Sequence, residues 1–451
     1  MCKNKKLAVV LAAGKGTRMQ SETPKVLHKI CGTSMLELVL NTVNSAGFPR
    51  PLVVIPEANS NFLDNKNDSY DYVVQKEPLG TGHALLQAVS KNKDDCTNVL
   101  VLSGDNPLIR PNTLEVLEEY HVSELNVMTI LTTEVSSDSD FGRIIRDSNG
   151  NIKKIIEFSK KNNDLKFIKE GNSGIYCFQM KWLKEKLKKL KTSLTGEIFL
   201  TDLVELAYQS NDKLGTLRVD DSTETLGVNN RVQLSQATKI LQNRIQKEWL
   251  MTGVSIEDPA TVYIDVNAKI GVDTVLKPNT HINGTTFVGE QCEIGPNTII
   301  QNSLIGNSCK VESSVVNDST IEEYVQIGPF SNIRGESYIC REVHIGTSVE
   351  INRTHLGEKS MISHFAYLGD AEIGINVNIG AGTVTCNYDG KKKHKTLIMD
   401  HAFIGSGTML IAPVTIGNNA ITGAGAVVKE DVEPNITVVG VPAKVINKVS
   451  L

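Results

Sequence analysis

Hydrophobic and polar positions in the first half of the chain follow two alternating patterns. Short apolar runs rich in β-branched residues occur at residues 7–11, 52–55 and 99–102, and polar residues, glycine or proline follow each of them. Such runs are typical of buried strands. Helical apolar spacing lies between and after these runs, at residues 35–46, 82–89 and 112–120. The alternation predicts a Rossmann-like α/β domain with a mostly parallel sheet flanked by helices, whose ligands bind just beyond the carboxyl ends of the strands.

The second half follows a six-residue period. From Ile270 the hexads IGVDTV, LKPNTH, INGTTF, VGEQCE and IGPNTI are consecutive, and IGPFSN, IGTSVE, IGINVN, IGAGTV and IGSGTM come later. An aliphatic residue opens each hexad, and a small or β-branched residue recurs at the fifth place. This period predicts a parallel β-helix whose aliphatic residues stack into one interior. By itself it fits an inert solenoid, spacer or scaffold equally well.

Residues 231–250 carry apolar side chains at helical intervals before Gly253, which predicts a connecting helix. The predicted organisation is therefore an α/β domain at residues 1–230, a linker helix at 231–252 and a β-helix domain at 253–451.

Composition excludes several classes of protein. A chain of 451 residues is long enough for two globular domains, and a net charge of -4 argues against bulk nucleic-acid binding. No apolar run approaches the roughly 20 residues of a membrane span. The eight cysteines show no zinc or disulfide spacing, which favours a reducing cytoplasm. The basic start followed by an apolar run also fits a signal peptide, but the Gly-rich turn after it favours a buried first strand.

The turn LAAGKGTRM after the first apolar run is neither a Walker A sequence nor a complete dinucleotide fingerprint. Gly14 and Gly16 leave backbone amides bare, and Lys15, Arg18 and Lys25 place cations around the loop. This combination fits the phosphates of a nucleoside triphosphate. A purely structural tight turn is the alternative.

Asp105 follows the third apolar run, in LVLSGDNPLI. A carboxylate there can hold Mg²⁺, which prefers oxygen ligands and shares them with substrate phosphates. As an isolated feature it would fit a helix cap or a turn residue. The metal interpretation depends on the basic loop.

Seven motifs together resemble a known family in their order and spacing. They are LAAGKGTRM, PKVLHKI, VVQKEPLGTGHA, FGRI, GNSGIY, GEIFLTD and GVNNRVQL. They look like the bifunctional N-acetylglucosamine-1-phosphate uridylyltransferase/glucosamine-1-phosphate N-acetyltransferase family. The resemblance covers nearly the whole chain, and no single motif carries it.

For the first domain the resemblance implies a site for UTP, a sugar phosphate and Mg²⁺. The nucleotide residues are Leu11, Ala12, Ala13, Gly14, Gln75, Gly80, Thr81, Ser103, Gly104 and Asp105, with Lys25 near the phosphates. The sugar-phosphate residues are Gly142, Glu157, Asn172 and Asn229. Asp105 and Asn229 would bind Mg²⁺, while Arg18 and Lys25 neutralise charge during in-line attack on the α-phosphorus. Two departures bear on sugar selectivity: Ser103 replaces the usual tyrosine, and Phe-Ser-Lys follows Glu157.

Deviations from the hexads mark the candidate chemistry of the second half. His364 is third in ISHFAY, Glu350 is sixth in IGTSVE, and a long excursion occupies residues 386–396. On pattern alone, a lone histidine in a repeat fits a solvated surface residue. The resemblance instead implies that His364 is the general base that takes a proton from glucosamine 1-phosphate as it attacks acetyl-CoA, with Glu350 orienting or polarising it.

The resemblance also implies a left-handed helix with three hexads per coil, a homotrimer, and two sets of binding residues in this domain. The sugar-phosphate set is Arg334, Asn352, Tyr367, Asn378, Asn387 and Tyr388. The acetyl-CoA set is Ala381, Ser406, Ala424 and Lys444, with an oxyanion donor around Ser406. Asn352 departs from the family, which has a phosphate-binding lysine there, and Arg353 is adjacent. The closing segment VVGVPAKVINK also departs from the usual basic tail, so Lys444 is the expected cation for the CoA phosphate.

The leading hypothesis is a cytoplasmic enzyme that makes UDP-N-acetylglucosamine from glucosamine 1-phosphate, acetyl-CoA and UTP, with no nucleic-acid partner and no membrane span. The enzymatic alternative is a sugar-1-phosphate nucleotidylyltransferase with a weak or altered acyltransferase. In a third hypothesis the solenoid only scaffolds an oligomer.

Overall fold

The protein was studied as a computed structural model, which describes residues 5–57, 70–92, 96–137, 139–157, 163–193 and 196–446. Contacts divide the chain into two compact units, residues 1–241 and 242–451. The division falls inside the helix Arg231–Met251, which begins where the predicted linker helix begins and ends one residue before it. Within the described ranges, no helix is long and apolar enough to cross a membrane.

The first unit is built around one twisted sheet. In spatial order its strands are Leu214–Arg218, Met128–Glu134, Glu170–Gln179, Cys96–Ser103, Lys5–Leu11, Leu52–Pro56 and Asp71–Gln75, with Arg143–Arg146 and Ile152–Ile156 forming a side hairpin. Glu170–Gln179 is antiparallel to both its main neighbours, and the other pairs of the main order are parallel. The sheet is therefore mostly parallel, as predicted.

Helices cover both faces of this sheet. The α-helices are Met35–Ser45, Thr81–Lys91, Pro111–Ser123, Met180–Lys186 and Asp202–Gln209. Short 3₁₀ turns are Thr17–Met19, Lys25–Leu27, Asn163–Phe167, Leu187–Lys189 and Ser222–Thr225. The short strands Lys29–Ile30 and Thr33–Ser34 pair with each other. The three predicted strands lie in strands, and the three predicted helices lie in helices except for Ala46, which caps the helix Met35–Ser45. Alternate residues of each central strand point to opposite faces: Val9 and Val101 belong to one core, and Val10 and Leu102 to the other.

The second unit is a left-handed parallel β-helix with three faces. Two faces form a continuous sheet, and the third face is a separate sheet of nine strands. The first face contains Ser255–Ile256, Val275–Leu276, Glu293–Ile294, Lys310–Val311, Gln326–Ile327, Asn378–Ile379, Phe403–Ile404, Ile421–Thr422 and Thr437–Val439. The second contains Tyr263–Ile264, His281–Asn283, Ile299–Gln301, Val315–Asn317, Asn332–Arg334, Val384–Cys386, Met409–Ile411 and Val427–Val428. His344–Asn352 and Met361–Gly369 bend across both.

The third face contains Lys269–Ile270, Phe287–Val288, Leu304–Ile305, Thr320–Ile321, Tyr338–Ile339, His355–Leu356, Ala371–Ile373, Thr396–Ile398 and Val414–Ile416. Lys444–Val445 then pairs antiparallel with Thr437–Val439. The repeat begins at Ser255, about one coil before the first hexad recognised in the sequence. The early coils lack a clean six-residue spacing, which is why the pattern alone did not show them.

Stacked side chains hold successive coils together. The aliphatic first residue of each hexad pairs with its counterpart in the next coil, as Ile333 does with Ile351, and both are fully buried. The small residue at the fifth place forms a second ladder: Thr274 donates from Oγ1 to Gly289 O at 2.8 Å and accepts from Cys292 N at 3.0 Å. The fifth place therefore satisfies buried backbone groups as well as filling space.

We predict that Ile351→Ala lowers the stability of the β-helix by about 2–5 kcal/mol, because the fully buried side chain would leave a cavity between two coils. Ile299→Ala is the matched control, since Ile299 points outward from a strand of the same sheet. Urea unfolding followed by circular dichroism measures both variants. Equal shifts of the unfolding midpoint would contradict the stacked interior as the source of stability.

Candidate active sites

The Gly-rich loop leaves the carboxyl end of the strand Lys5–Leu11. Ala12 N donates to Val54 O at 2.8 Å, which ties the start of the loop to the neighbouring strand. Gly16 has a φ of 60°, and a Cβ atom there would lie 2.7 Å from Lys25 Cβ. Glycine at this position therefore serves both the turn and the close packing of the Lys25 segment against the loop.

Four predicted site residues meet beyond the strand ends. The Lys25 ammonium donates to Asp105 Oδ2 and, at 3.0 Å, to Asn229 Oδ1. The Arg18 guanidinium donates to the same Asn229 oxygen at 3.0 Å. We call these four residues the Asp105 cluster. It joins segments that are more than 200 residues apart in the chain.

Backbone contacts fix the two oxygen-bearing members of the Asp105 cluster. Gly104 N donates to Leu11 O at 2.9 Å, so the segment carrying Asp105 continues the pairing of Leu11 with Ser103. Val228 N donates to Asp105 O at 2.9 Å, and Asn229 N donates to Gln233 Oε1 at 2.7 Å. The Asp105 and Asn229 oxygens are therefore held around one point.

This point suits a hard divalent cation, because a carboxylate and a carboxamide oxygen already surround the Lys25 ammonium. The described ranges contain no group of three or more His, Cys, Asp or Glu side chains that could hold a metal ion. A metal at Asp105 and Asn229 would therefore take its remaining ligands from water and from substrate phosphates, as Mg²⁺ commonly does.

Predicted nucleotide residues also meet beside the strand Asp71–Gln75. Gln75 is buried, and its Nε2 donates to Gly80 O at 3.2 Å. Thr81 opens a helix, and its Oγ1 accepts from Leu200 N at 3.1 Å. A Cβ atom on Gly80 would lie 2.7 Å from Ile198 O, so the loop preceding the helix requires glycine. The segment Ile198–Leu200 belongs to the motif GEIFLTD and forms one wall.

Predicted sugar-phosphate residues form a separate group. Asn172 N donates to Gly142 O at 2.9 Å, and a Cβ atom on Gly142 would lie 3.5 Å from Glu157 Oε2. Desolvation by surrounding protein raises the pKa of the Glu157 carboxyl, a hydrogen bond from Thr201 opposes the rise, and the charge of Asp202 adds to it. Residues 158–160, the Phe-Ser-Lys that departs from the family, lie outside the described ranges.

Tyr176 and Gly174 together hold both polar atoms of the Asn172 carboxamide. Asn172 Nδ2 donates to the Tyr176 hydroxyl at 2.8 Å, and Asn172 Oδ1 accepts from Gly174 N at 3.2 Å. The orientation of the carboxamide is therefore set by the protein. Sequence reasoning missed Tyr176, Thr201 and Gln233, although the motifs GNSGIY, GEIFLTD and GVNNRVQL contain them.

In the β-helix, the predicted histidine and three predicted acetyl-CoA residues occupy one corner. Ile362 pairs with Ile379, Ile379 with Ile404, and Ile404 with Thr422. The residue two places after each of these is His364, Ala381, Ser406 and Ala424, respectively. Parallel strands repeat about every 4.8 Å, so these four residues form a line along the corner, which we call the His364 line.

Along the His364 line, the histidine side chain is exposed, and backbone hydrogen bonds join the neighbouring coils. His364 is exposed, and its ring makes no hydrogen bond to any described residue. Ala381 O accepts from Gly407 N at 2.7 Å, and Ser406 O accepts from Gly425 N at 2.8 Å. The corner is thus a flat, glycine-rich edge with one exposed imidazole.

Glu350 is not placed beside His364. His364 pairs in register with Thr347, whereas Glu350 pairs with Tyr367. The Glu350 carboxylate accepts from Arg334 Nη2 at 2.5 Å and Nε at 3.1 Å. The orienting role expected for Glu350 therefore has no supporting contact in this chain, because its carboxylate is already paired with Arg334.

The predicted phosphate residues form a network with two paired cations. Asn352 pairs in register with Arg334 but is only 3% exposed, and its Oδ1 accepts from Arg353 Nη1 at 2.9 Å. Arg353 holds Asp370 with Nε and Nη2 at 2.6 and 2.9 Å, and Asn387 Nδ2 also donates to Asp370. The Arg353 bond, with the Asn387 bond in support, lowers the pKa of the Asp370 carboxyl.

The remaining predicted residues surround this network and the corner. Tyr367 extends toward Gly369, where a Cβ atom would lie 2.5 Å from its hydroxyl. Asn378 is in register with Met361 and Phe403. Tyr388 is exposed in the excursion and bridges to Lys393. Lys444 is exposed and pairs with Val439, whose side chain packs on Gly423 beside Ala424.

The chain is similar to proteins of one kind over nearly its whole length. The family model "Nucleotidyl transferase" matches residues 7–253, and the model "Bacterial transferase hexapeptide (six repeats)" matches residues 395–430. "Bifunctional protein GlmU" of Caldanaerobacter subterraneus subsp. tengcongensis is 45% identical, covering 94% of this chain and 93% of that protein.

Two further relatives carry the same name. The protein of Geobacillus sp. (strain WCH70) is 43% identical, covering 96% of this chain and 94% of its own length. That of Streptococcus equi subsp. zooepidemicus is 41% identical, covering 98% and 97%. The chain therefore belongs to the GlmU family of bifunctional transferases.

Proposed function

We propose that the chain acetylates glucosamine 1-phosphate in the β-helix unit and couples the product to UTP in the first unit, yielding UDP-N-acetylglucosamine and pyrophosphate. The Asp105 cluster is the observation that carries this proposal. It gathers two cations, a carboxylate and a carboxamide from four separate segments at the sheet edge where α/β enzymes bind nucleotides.

In the nucleotidyl transfer, a phosphate oxygen of N-acetylglucosamine 1-phosphate attacks the α-phosphorus of UTP, and pyrophosphate leaves. Gly142, Glu157 and Asn172 hold the sugar phosphate, and Asn172 is pre-oriented by Tyr176. Arg18 and Lys25 neutralise charge on the transferring group and on pyrophosphate. Mg²⁺, held by Asp105 and Asn229, would polarise the phosphate oxygens and align the reacting groups.

In the acetyl transfer, the amino group of glucosamine 1-phosphate attacks the thioester carbonyl of acetyl-CoA. His364 takes the proton from the attacking nitrogen, and the CoA sulfur leaves with the bonding electron pair. The exposed, unbonded ring suits this role, since a general base needs a free nitrogen within reach of the substrate. Acetyl-CoA would lie along Ala381, Ser406 and Ala424, with Lys444 near its phosphates and a donor around Ser406 facing the oxyanion.

A homotrimer and a cytoplasmic location are part of this proposal. Met361, Phe403 and Ile421 are exposed apolar residues on the face that leads to the His364 line, and they follow the register through Asn378. Covering this row with another copy of the chain would remove apolar surface from water. The hypothesis of a purely scaffolding solenoid would leave the exposed His364 and the paired cations without a role.

We predict that Asp105→Ala lowers nucleotidyl transfer by about a thousand-fold or more, because several kcal/mol of metal-assisted charge stabilisation would be lost. Acetyl transfer by the same preparation is the control and should remain nearly unchanged. Each half-reaction is measured separately. Equal loss of both activities in a folded variant would contradict the assignment of the two reactions to separate units.

His364→Ala should reduce acetyl transfer by about 10²–10⁴-fold, the usual contribution of a general base. Binding of acetyl-CoA, measured by calorimetry, should be largely preserved, because the imidazole acts on the attacking amine. Nucleotidyl transfer is the internal control. Wild-type acetylation by this variant would remove His364 from the reaction.

Tyr176→Phe should raise the KM for N-acetylglucosamine 1-phosphate by about two- to tenfold, the worth of one hydrogen bond, while the KM for UTP stays constant. The Asn172 carboxamide would lose the acceptor that orients it. Tyr208→Phe is the matched control, since the Tyr208 hydroxyl donates to Asp147 at 3.2 Å, away from the sugar group. Equal effects of both substitutions would indicate a general loss of stability.

A further inference from the structure

Lys25 contacts both oxygen atoms that would hold the metal. Its ammonium donates to Asp105 Oδ2 and to Asn229 Oδ1, and the side chains of Lys25 and Asp105 are only 15% and 11% exposed. Arg18, by contrast, contacts only the Asn229 carboxamide and is exposed. Of these two cations, only Lys25 contacts the Asp105 carboxylate, where the metal would bind.

An ammonium and a divalent metal on these same oxygens repel each other. Mg²⁺ binds oxygen at about 2.0–2.1 Å, and a charge-assisted N–H bond to a carboxylate spans about 2.7–2.9 Å. A metal on Asp105 would place two cations within a few ångströms in a mostly buried site, where their repulsion is strong. The metal therefore binds more favourably when the ammonium has moved off these oxygens.

We propose that the Lys25 ammonium competes with the divalent metal for the Asp105 and Asn229 oxygens. The ammonium leaves these oxygens only when a nucleoside triphosphate binds and its phosphates become the new partner of the ammonium. The inference rests on the proposed nucleotidyl transfer and deepens it, since it couples metal binding to nucleotide binding. Without nucleotide, the metal must displace the ammonium with no compensation. With nucleotide, the ammonium moves to a phosphate and the metal takes the vacated oxygens.

The anchoring of Lys25 supports this exchange. Its backbone begins the short turn Lys25–Leu27, and its Cβ atom packs against Gly16 in the loop expected to hold the phosphates. The flexible stem of lysine beyond that anchor allows the ammonium to reach alternative anions. The Lys25 ammonium can therefore reach either Asp105 or the loop while the Lys25 backbone stays in place.

Metal affinity of the full chain without nucleotide tests the proposal. Binding of Mn²⁺ is measured by the electron paramagnetic resonance signal of the free ion, at constant ionic strength. Lys25→Met should bind Mn²⁺ about ten- to a hundredfold more tightly than the unsubstituted chain, the equivalent of one charge-assisted hydrogen bond. Lys213→Met is the matched control: it removes an exposed cation that pairs with Glu124 at 3.1 Å, and its affinity should be unchanged.

The double variant Lys25→Met/Asp105→Ala shows whether the increased Mn²⁺ affinity arises at Asp105. If the extra affinity arises at Asp105, the double variant should lose it. Adding UTP should tighten Mn²⁺ binding by a larger factor in the unsubstituted chain than in Lys25→Met, because only the former must relocate an ammonium. Lys25→Gln serves as a second variant if Lys25→Met melts at a lower temperature.

Unchanged or weaker Mn²⁺ binding by folded Lys25→Met or Lys25→Gln overturns the competition, as does retention of the gain in the double variant. These outcomes differ from failure of the proposed function itself. If Asp105→Ala alone loses nucleotidyl transfer while Lys25→Met binds Mn²⁺ no better, the metal role stands and only the competition falls. If Asp105→Ala retains full transfer, the assignment of the metal site falls as well.

Discussion

Parallel, in-register backbone pairing determines where the candidate chemistry of both units lies. In the first unit it brings the carboxyl ends of Lys5–Leu11, Leu52–Pro56 and Cys96–Ser103 to one sheet edge, so the Gly-rich loop and Asp105 must be neighbours. In the β-helix it repeats each position every coil and turns isolated residues into the His364 line. The same backbone hydrogen bonds that form the sheets therefore also bring the site residues together.

A second common feature is that three of the site cations are already paired with protein anions. Lys25 is paired with Asp105, Arg334 with Glu350, and Arg353 with Asp370. Pairing limits the cost of holding charged groups in partly buried positions. It also means that a phosphate bound by any of these three cations would compete with a carboxylate for it.

The periodic part of the structure was predictable, whereas the contacts that depend on register were not. Burial patterns of two and six residues gave the strands and the solenoid because they reflect local burial. Glu350 lies 14 residues before His364 (364 − 350), but the coil there repeats after 17 (364 − 347), which brings Thr347 into register instead. Tyr176 reaches Asn172 because the strand is irregular between them, with Gly174 at a φ of 78°. Neither the coil length nor the irregularity follows from a motif.

The replacement of the family lysine by Asn352 shows how such irregular detail changes the interpretation of a sequence. Position 352 is buried, and its carboxamide oxygen accepts from Arg353 at 2.9 Å. Arg353 follows at a turn with a φ of 52°, and Asp370 accepts from the Nε and Nη2 edge of its guanidinium. The positive charge missing at position 352 is thus retained one residue later, at the same corner of the coil. Because a guanidinium presents a planar fork and an ammonium does not, the change alters the geometry of the charge more than its amount.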